Sequence, residues 1–150
     1  MSELSPSDAA VALRSFPRRF RELFATADGE VPDAAIEHAD HVARSVALLG
    51  EALRQVLVED DPVLMPAVAD DAAREWSFAG SSSLGDVLTF LDMSCTEVAD
   101  AIGHAPATAW TRAGTVAGSG QKMTALDLVR EAVSTGASHL RAAESAISRQ

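Results

Sequence analysis

Four stretches of this chain place apolar residues three and four apart, the spacing that keeps one face of an α-helix against a core. In the first, from about Ser7 to Ala25, Leu13, Phe16, Phe20 and Leu23 form the stripe, with Phe24 beside it. The second, from about Pro32 to Val58, carries Val42, Val46, Leu49, Leu53 and Val56. The third starts near Leu84 and runs through Leu88, Leu91, Cys95, Val98 and Ile102. The fourth begins at Thr124 and continues through Leu126, Val129, Val133, Gly136, Leu140, Ala143 and Ile147. No stretch alternates with period two over a convincing length, so the periods imply helices and no extended sheet.

Local signals punctuate the stripes. Pro17 lies inside the first, which predicts a kink there or a helix that starts near it. Asp28-Gly29 reads as a turn, and Pro32 with Asp33 suits the first turn of the second helix. Glu59-Asp60-Asp61-Pro62 stops that helix. A short helix over Val68 to Phe78 that seats Trp76, followed by a hinge at Gly80-Ser81-Ser82-Ser83, is expected next. Gly103 is the expected C′ residue of the third helix. Thr124 and Asp127 are spaced as a capping box for the fourth. The expected fold is an all-α four-helix bundle, with long connections after the second helix and before the fourth. Their unequal lengths mean that the order of helices need not be simple up-and-down.

Size and charge narrow the function. A chain of 150 residues with 47% hydrophobic content is enough for one domain spanning 1–150 and too short for two. Its 12 basic and 22 acidic residues leave a net charge of −10, which argues against nucleic acid and against anionic membranes. No apolar run reaches the length of a transmembrane helix, and the N-terminus does not read as a signal peptide, so a cytoplasmic protein is expected. All but one of the basic residues are Arg and Ala is abundant, as in a GC-rich bacterial genome. The single cysteine, Cys95, cannot form an internal disulfide, and its place on the third stripe reads as packing.

Histidine is the residue type with chemistry to offer. His41 lies about 100° to one side of Val42, and His139 lies the same distance to the same side of Leu140. Both therefore fall at the edge of a core-facing stripe, where facing helices can build a metal site. The plainer alternative is a half-solvated boundary histidine. His38 is three residues before His41, near the middle of its stripe, so the two rings can point to one place. That pair could clamp a metal; a core histidine bonded to a carbonyl is the alternative. His104 follows the third helix, where it complements the helix dipole. The chain has no P-loop, no Cys-x-x-Cys, no His-Glu-x-x-His and no Glu-x-x-His pair.

The run Glu37-His38-Ala39-Asp40-His41-Val42-Ala43-Arg44, continuing through Leu53-Arg54-Gln55-Val56-Leu57-Val58 to Glu59-Asp60-Asp61-Pro62, resembles the second helix of the DinB/YfiT-like superfamily. Ala109-Trp110-Thr111-Arg112 with Gly114, then Met123-Thr124-Ala125-Leu126-Asp127-Leu128, resembles that family's lead into its last helix. Ser138-His139-Leu140 matches the end of its paired-histidine motif. The resemblance covers about Leu13 to Ile147. It implies a four-helix bundle whose cavity often holds a divalent metal on three histidines, with His41 and His139 on ligand positions. Relatives of that kind include thiol-dependent S-transferases and mycothiol-dependent maleylpyruvate isomerases.

This chain departs from the pattern where the earlier histidine of the last helix should fall. Ser134 or Thr135 stands there, and hydroxyls are poor ligands for zinc or nickel. His41 and His139 remain, with His38 as a candidate to rebuild a three-histidine set. The resemblance thus implies a DinB-like bundle with a degenerate histidine site, expected to bind a small molecule or a partner without catalysis. The alternative is a metal-dependent S-transferase or isomerase that uses a bacterial low-molecular-weight thiol. A small-molecule ligand, a thiol and a second copy of the chain are the candidate partners.

Overall fold

The computed structural model describes residues 3–74 and 83–150. It contains four long helices: α1 (Pro6–Phe24), α2 (Asp33–Val58), α3 (Leu84–His104) and α4 (Ala125–Ser148). The predicted stripes are their buried faces. Val42, Leu49, Leu91 and Cys95 are all at most 1% exposed, and Leu140 is buried beside them.

The helix ends follow from side-chain chemistry. Ser5 Oγ accepts from the Asp8 amide at 3.1 Å and starts α1. Pro17 is therefore not a start signal: the helix begins a full three turns earlier and carries Pro17 buried within it. Ser83 caps α3 in the same way through the Asp86 amide. Gly103 does not end α3 as expected. The helix continues to His104, whose Nδ1 lies 2.7 Å from the Asp100 carbonyl oxygen, and stops at Ala105, extended because Pro106 follows. At α4 the capping box is complete, with Thr124 Oγ1 and Asp127 Oδ2 each accepting the other residue's amide.

Helices α1 and α2 each pack on both α3 and α4, so α1 stands diagonally from α2, and α3 from α4. Two of the three connections thus cross the bundle diagonal. Close approach between α1 and α4 depends on Gly136, over which the Phe16 ring lies so near that a Cβ would collide with it.

The long connections are not wholly irregular. Strands β1 (Val63–Leu64), β2 (Ala113–Val116) and β3 (Lys122–Thr124) form a small sheet in that order, β1 parallel and β3 antiparallel to β2. Strands of two to four residues are too short to show a period, so the sequence did not announce them. Arg112 ties this sheet to the bundle by donating to the carbonyls of Val56, in the last turn of α2, and of Glu59 just beyond it, at 2.8 and 2.9 Å. Gly114 lets Leu64 pack directly on the β2 backbone. After β1, Pro66–Ala69 makes one 3₁₀ turn, and Asp70 to Arg74 form a turn instead of the helix expected over Val68 to Phe78, because the Asp70 side chain and short backbone bonds close the chain there. The end of that expected helix, with Trp76, and most of the Gly80–Ser83 hinge lie outside the described residues. Among the described residues no helix is long and apolar enough to cross a membrane.

Candidate metal centre

The predicted offsets bring His41 of α2 and His139 of α4 together, with ring centroids 4.4 Å apart. His41 is 1% exposed and His139 is 7% exposed. His38, one turn earlier on α2, joins them: its Nδ1 is 2.9 Å from His139 Nδ1. All three candidate histidines therefore meet where α2 faces α4. Of the hydroxyl residues that precede His139 on α4, Thr135 is buried and bonded to Arg74, while Ser134 and Ser138 are exposed. His104 is elsewhere, bound to its own helix.

The residue that completes the cluster comes from the connection after α2. Asp70 there accepts from the Ala72 amide at 3.1 Å, and the Ala73 and Arg74 amides bond back to the carbonyls of Asp70 and Asp71. That tight turn projects Asp71 between the two helices. Its Oδ1 is 2.9 Å from His41 Nε2 and its Oδ2 is 3.0 Å from His139 Nε2. Burial pulls the Asp71 carboxyl upward, but the hydrogen bonds from His139 and His41 outweigh it and hold the group down, to about 2. An ionised carboxylate only accepts, so both histidines donate through Nε2. Desolvation lowers the His139 pKa against the pull of Asp71, and desolvation with the neighbouring rings lowers that of His38. The cluster thus sets an ionised Asp71 carboxylate beside two rings, His38 and His139, whose burial disfavours the charged form.

Arg74 is the second residue that the periods did not reveal. Its side chain is 1% exposed. Nε donates to Ser45 Oγ at 3.1 Å, and Nη1 donates to the Ala67 and Val68 carbonyls at 2.9 and 3.4 Å. Nη2 faces Glu131 and Thr135, each at 2.8 Å, and Asp71 at 3.2 Å. Thr135, one of the two positions where the family resemblance leads one to expect a histidine, thus accepts from a guanidinium. The Asp71/Arg74 spacing was visible in the sequence, but in a stretch without period nothing indicated which way either side chain points.

His41, Asp71 and His139 each offer one donor atom, and these lie within 4.8 Å of one another. Two imidazoles and a carboxylate are the donor set of many catalytic zinc sites and also suit iron. The residues present fit a divalent ion, with Asp71 as the third donor of the group. The Asp71 side chain is 44% exposed, whereas His41 is fully enclosed, so the carboxylate edge is the open side of the cluster.

No protein-family model matches the chain, and no curated protein does. Among solved structures it is similar to YfiT from Bacillus subtilis, described as a probable metal-dependent hydrolase with an unusual four-helix bundle topology. The two share 15% sequence identity and superpose with a TM-score of 0.76 over 99% of this chain and 89% of that one. The chain thus shares the four-helix-bundle fold of YfiT, and in this chain the histidines cluster between the second and last helices.

Proposed function

We propose that this protein binds one divalent metal ion, zinc or nickel, on His41, Asp71 and His139, and acts on a small electrophilic molecule with water or a low-molecular-weight thiol as nucleophile. The observation that carries this reading is the position of Asp71, which bridges the two histidines and supplies the third donor that the helices lack. The description of YfiT as a probable metal-dependent hydrolase supports it. When bound, such an ion supplies Lewis-acid chemistry: it polarises an electrophile and lowers the proton affinity of a water or thiol.

The chain's own residues do the rest. Enclosure fixes the His41 ring, so it needs no ordering when an ion arrives. Asp71 brings negative charge to a partly buried place and leaves one side open to a small molecule. His38 faces the Nδ1 of His139 and orients that ring while its Nε2 points to Asp71. In this arrangement His38 is an outer partner of the centre, as commonly found for metal-bound histidines. The ligand role expected for it from spacing is the competing proposal.

A second reading has its own support. Asp71 already bonds His41, His139 and Arg74, so the cluster holds together as a hydrogen-bond network without an ion. In that reading the bundle binds a small molecule or a second copy of itself without catalysis, and Asp71 closes the gap between α2 and α4.

Calorimetric titration of the chelator-stripped protein with zinc and nickel separates these readings. The metal reading expects one ion per chain, lost in His41→Ala, Asp71→Ala and His139→Ala and only weakened in His38→Ala. Loss of binding in His38→Ala as complete as in His41→Ala assigns His38 as a ligand. The absence of stoichiometric binding rejects the metal centre and leaves the non-catalytic bundle.

A further inference from the structure

We infer that Arg74 is a positioning residue that delivers Asp71 to the metal centre, by latching the segment after α2 onto both facing helices. The inference rests on the metal reading above and adds the device that makes the third donor available.

A buried arginine in a cluster of this kind has two plausible uses. It can bind an anionic substrate, or it can hold the protein together. The contacts decide between them. The five N–H groups of a guanidinium here face six acceptors, all from the chain itself: Ser45, Ala67, Val68, Asp71, Glu131 and Thr135. With the side chain 1% exposed, no N–H is left for a substrate. Arg74 therefore acts on structure.

What it joins is specific. Ser45 is one turn along α2 from His41, and Thr135 is one turn before His139 on α4. The Ala67 and Val68 carbonyls belong to the 3₁₀ turn that opens the segment carrying Asp71. Arg74, three residues after Asp71, thus fastens that segment at the helical turns next to those that carry the two histidines. Asp71 and Glu131 supply the negative charge that a buried guanidinium needs. An arginine can reach all of these because its donors fan out in a rigid plane; a lysine ammonium cannot.

The local turn does not by itself tie Asp71 to the two helices. Its side chain is 44% exposed, and the bonds of the turn, from the Ala72, Ala73 and Arg74 amides to Asp70 and Asp71, stay within the segment. Without the guanidinium the carboxylate would keep its two histidine contacts but lose the anchor behind them. Arg74 acts through Asp71, so its effect on metal affinity should vanish when Asp71 can no longer be a ligand. A merely structural role would weaken binding whether or not Asp71 is present.

The experiment is a double-mutant cycle on the full chain, with zinc affinity measured by competition with a chromogenic chelator. Circular dichroism and thermal midpoint report the fold of each variant. Arg74→Gln should weaken zinc binding by about 10- to 100-fold, the range seen for outer partners of metal ligands. Asp71→Asn should weaken it at least as much, and the double variant should equal Asp71→Asn alone. Arg74→Lys should not restore native affinity. Folded Arg74→Gln that binds zinc like the native chain overturns the latch, as does a double variant in which the two losses add. If Arg74→Gln does not fold, Thr135→Val and Ser45→Ala each remove one latch contact; weaker zinc binding in both supports the latch, and native affinity in both overturns it. Failure of the native chain to take up zinc or nickel instead rejects the metal reading itself, and the latch with it.

Discussion

Cys95 shows how placement silences a reactive side chain. It lies at the centre of the α3 stripe, fully buried. Burial, with the charge of Asp92 adding to it, pushes its thiol up to about 12. Thiolate is the reactive form, so Cys95 should resist iodoacetamide at about pH 8 in the native protein and react once it is unfolded. Mass spectrometry of labelled samples checks this, and rapid native labelling would contradict the packing role. Gly136 is the complementary case, a residue needed for what it lacks. Phe16 of α1 lies where a Cβ would stand, one turn from His139 and Leu140. Gly136→Ala should destabilise the protein by about 1–3 kcal/mol in urea titration, the usual cost of overpacking a core. An unchanged midpoint would show that the Phe16 ring can move aside.

At the scale of elements, the helices obey their local signals most closely where side chains can satisfy end groups. Thr124 both ends β3 and caps α4, and the Ala125 amide after it donates to the Arg112 carbonyl at 2.8 Å. Thr124→Ala should therefore cost about 0.5–2 kcal/mol, the range for loss of an N-cap. Chemical denaturation reads that cost, and a loss well below it would mean that the β3 pairing alone holds the end of α4. Pro17 and Gly103 show the limit of such signals. Each is a helix breaker by propensity, and each lies inside a helix here, because Ser5 starts α1 upstream and Pro106 stops α3 downstream. A stronger cap or stop nearby decides the boundary. The capping box of α4 and the stripes of α2 and α3 were legible because they are local and periodic; β1, β2 and β3 were not, because two to four residues carry no period.

For the molecule as a whole, the site makes stability depend on pH. His38 and His139 have pKa values lowered from 6.5, with burial the largest cause in each and nearby histidine rings adding to it. A group whose folded pKa is depressed binds protons more readily when unfolded, so its contribution is present above the unfolded value and lost as pH falls. The thermal midpoint of the metal-stripped protein should thus drop between about pH 7 and pH 5, the histidine window. His38→Gln should shallow that slope. Asp71, held down to about 2, contributes in the same direction only at much lower pH. A midpoint that stays flat across the histidine window would show that protonated rings are accommodated between α2 and α4 without loss.

The amino-acid sequence by itself determined the four helices, their buried faces and the places of His41 and His139 at the edges of two of those faces. Each of these follows from spacing along one helix, where 3.6 residues per turn converts a position in the chain into a direction in space. His38 could be placed near them for the same reason. Only the tertiary structure decided that α1 and α2 stand on a diagonal, that a small sheet ties the two long connections together, and that Asp71 and Arg74 complete the cluster. Those two residues lie in a segment without regular period, so their neighbours in the sequence do not say where their side chains point. Their direction is set by the turn at Asp70 and by partners up to 68 residues away, Ser45 on α2, Glu131, Thr135 and His139 on α4. A helical period carries direction only along its own element, and the third donor reaches the histidines from outside it.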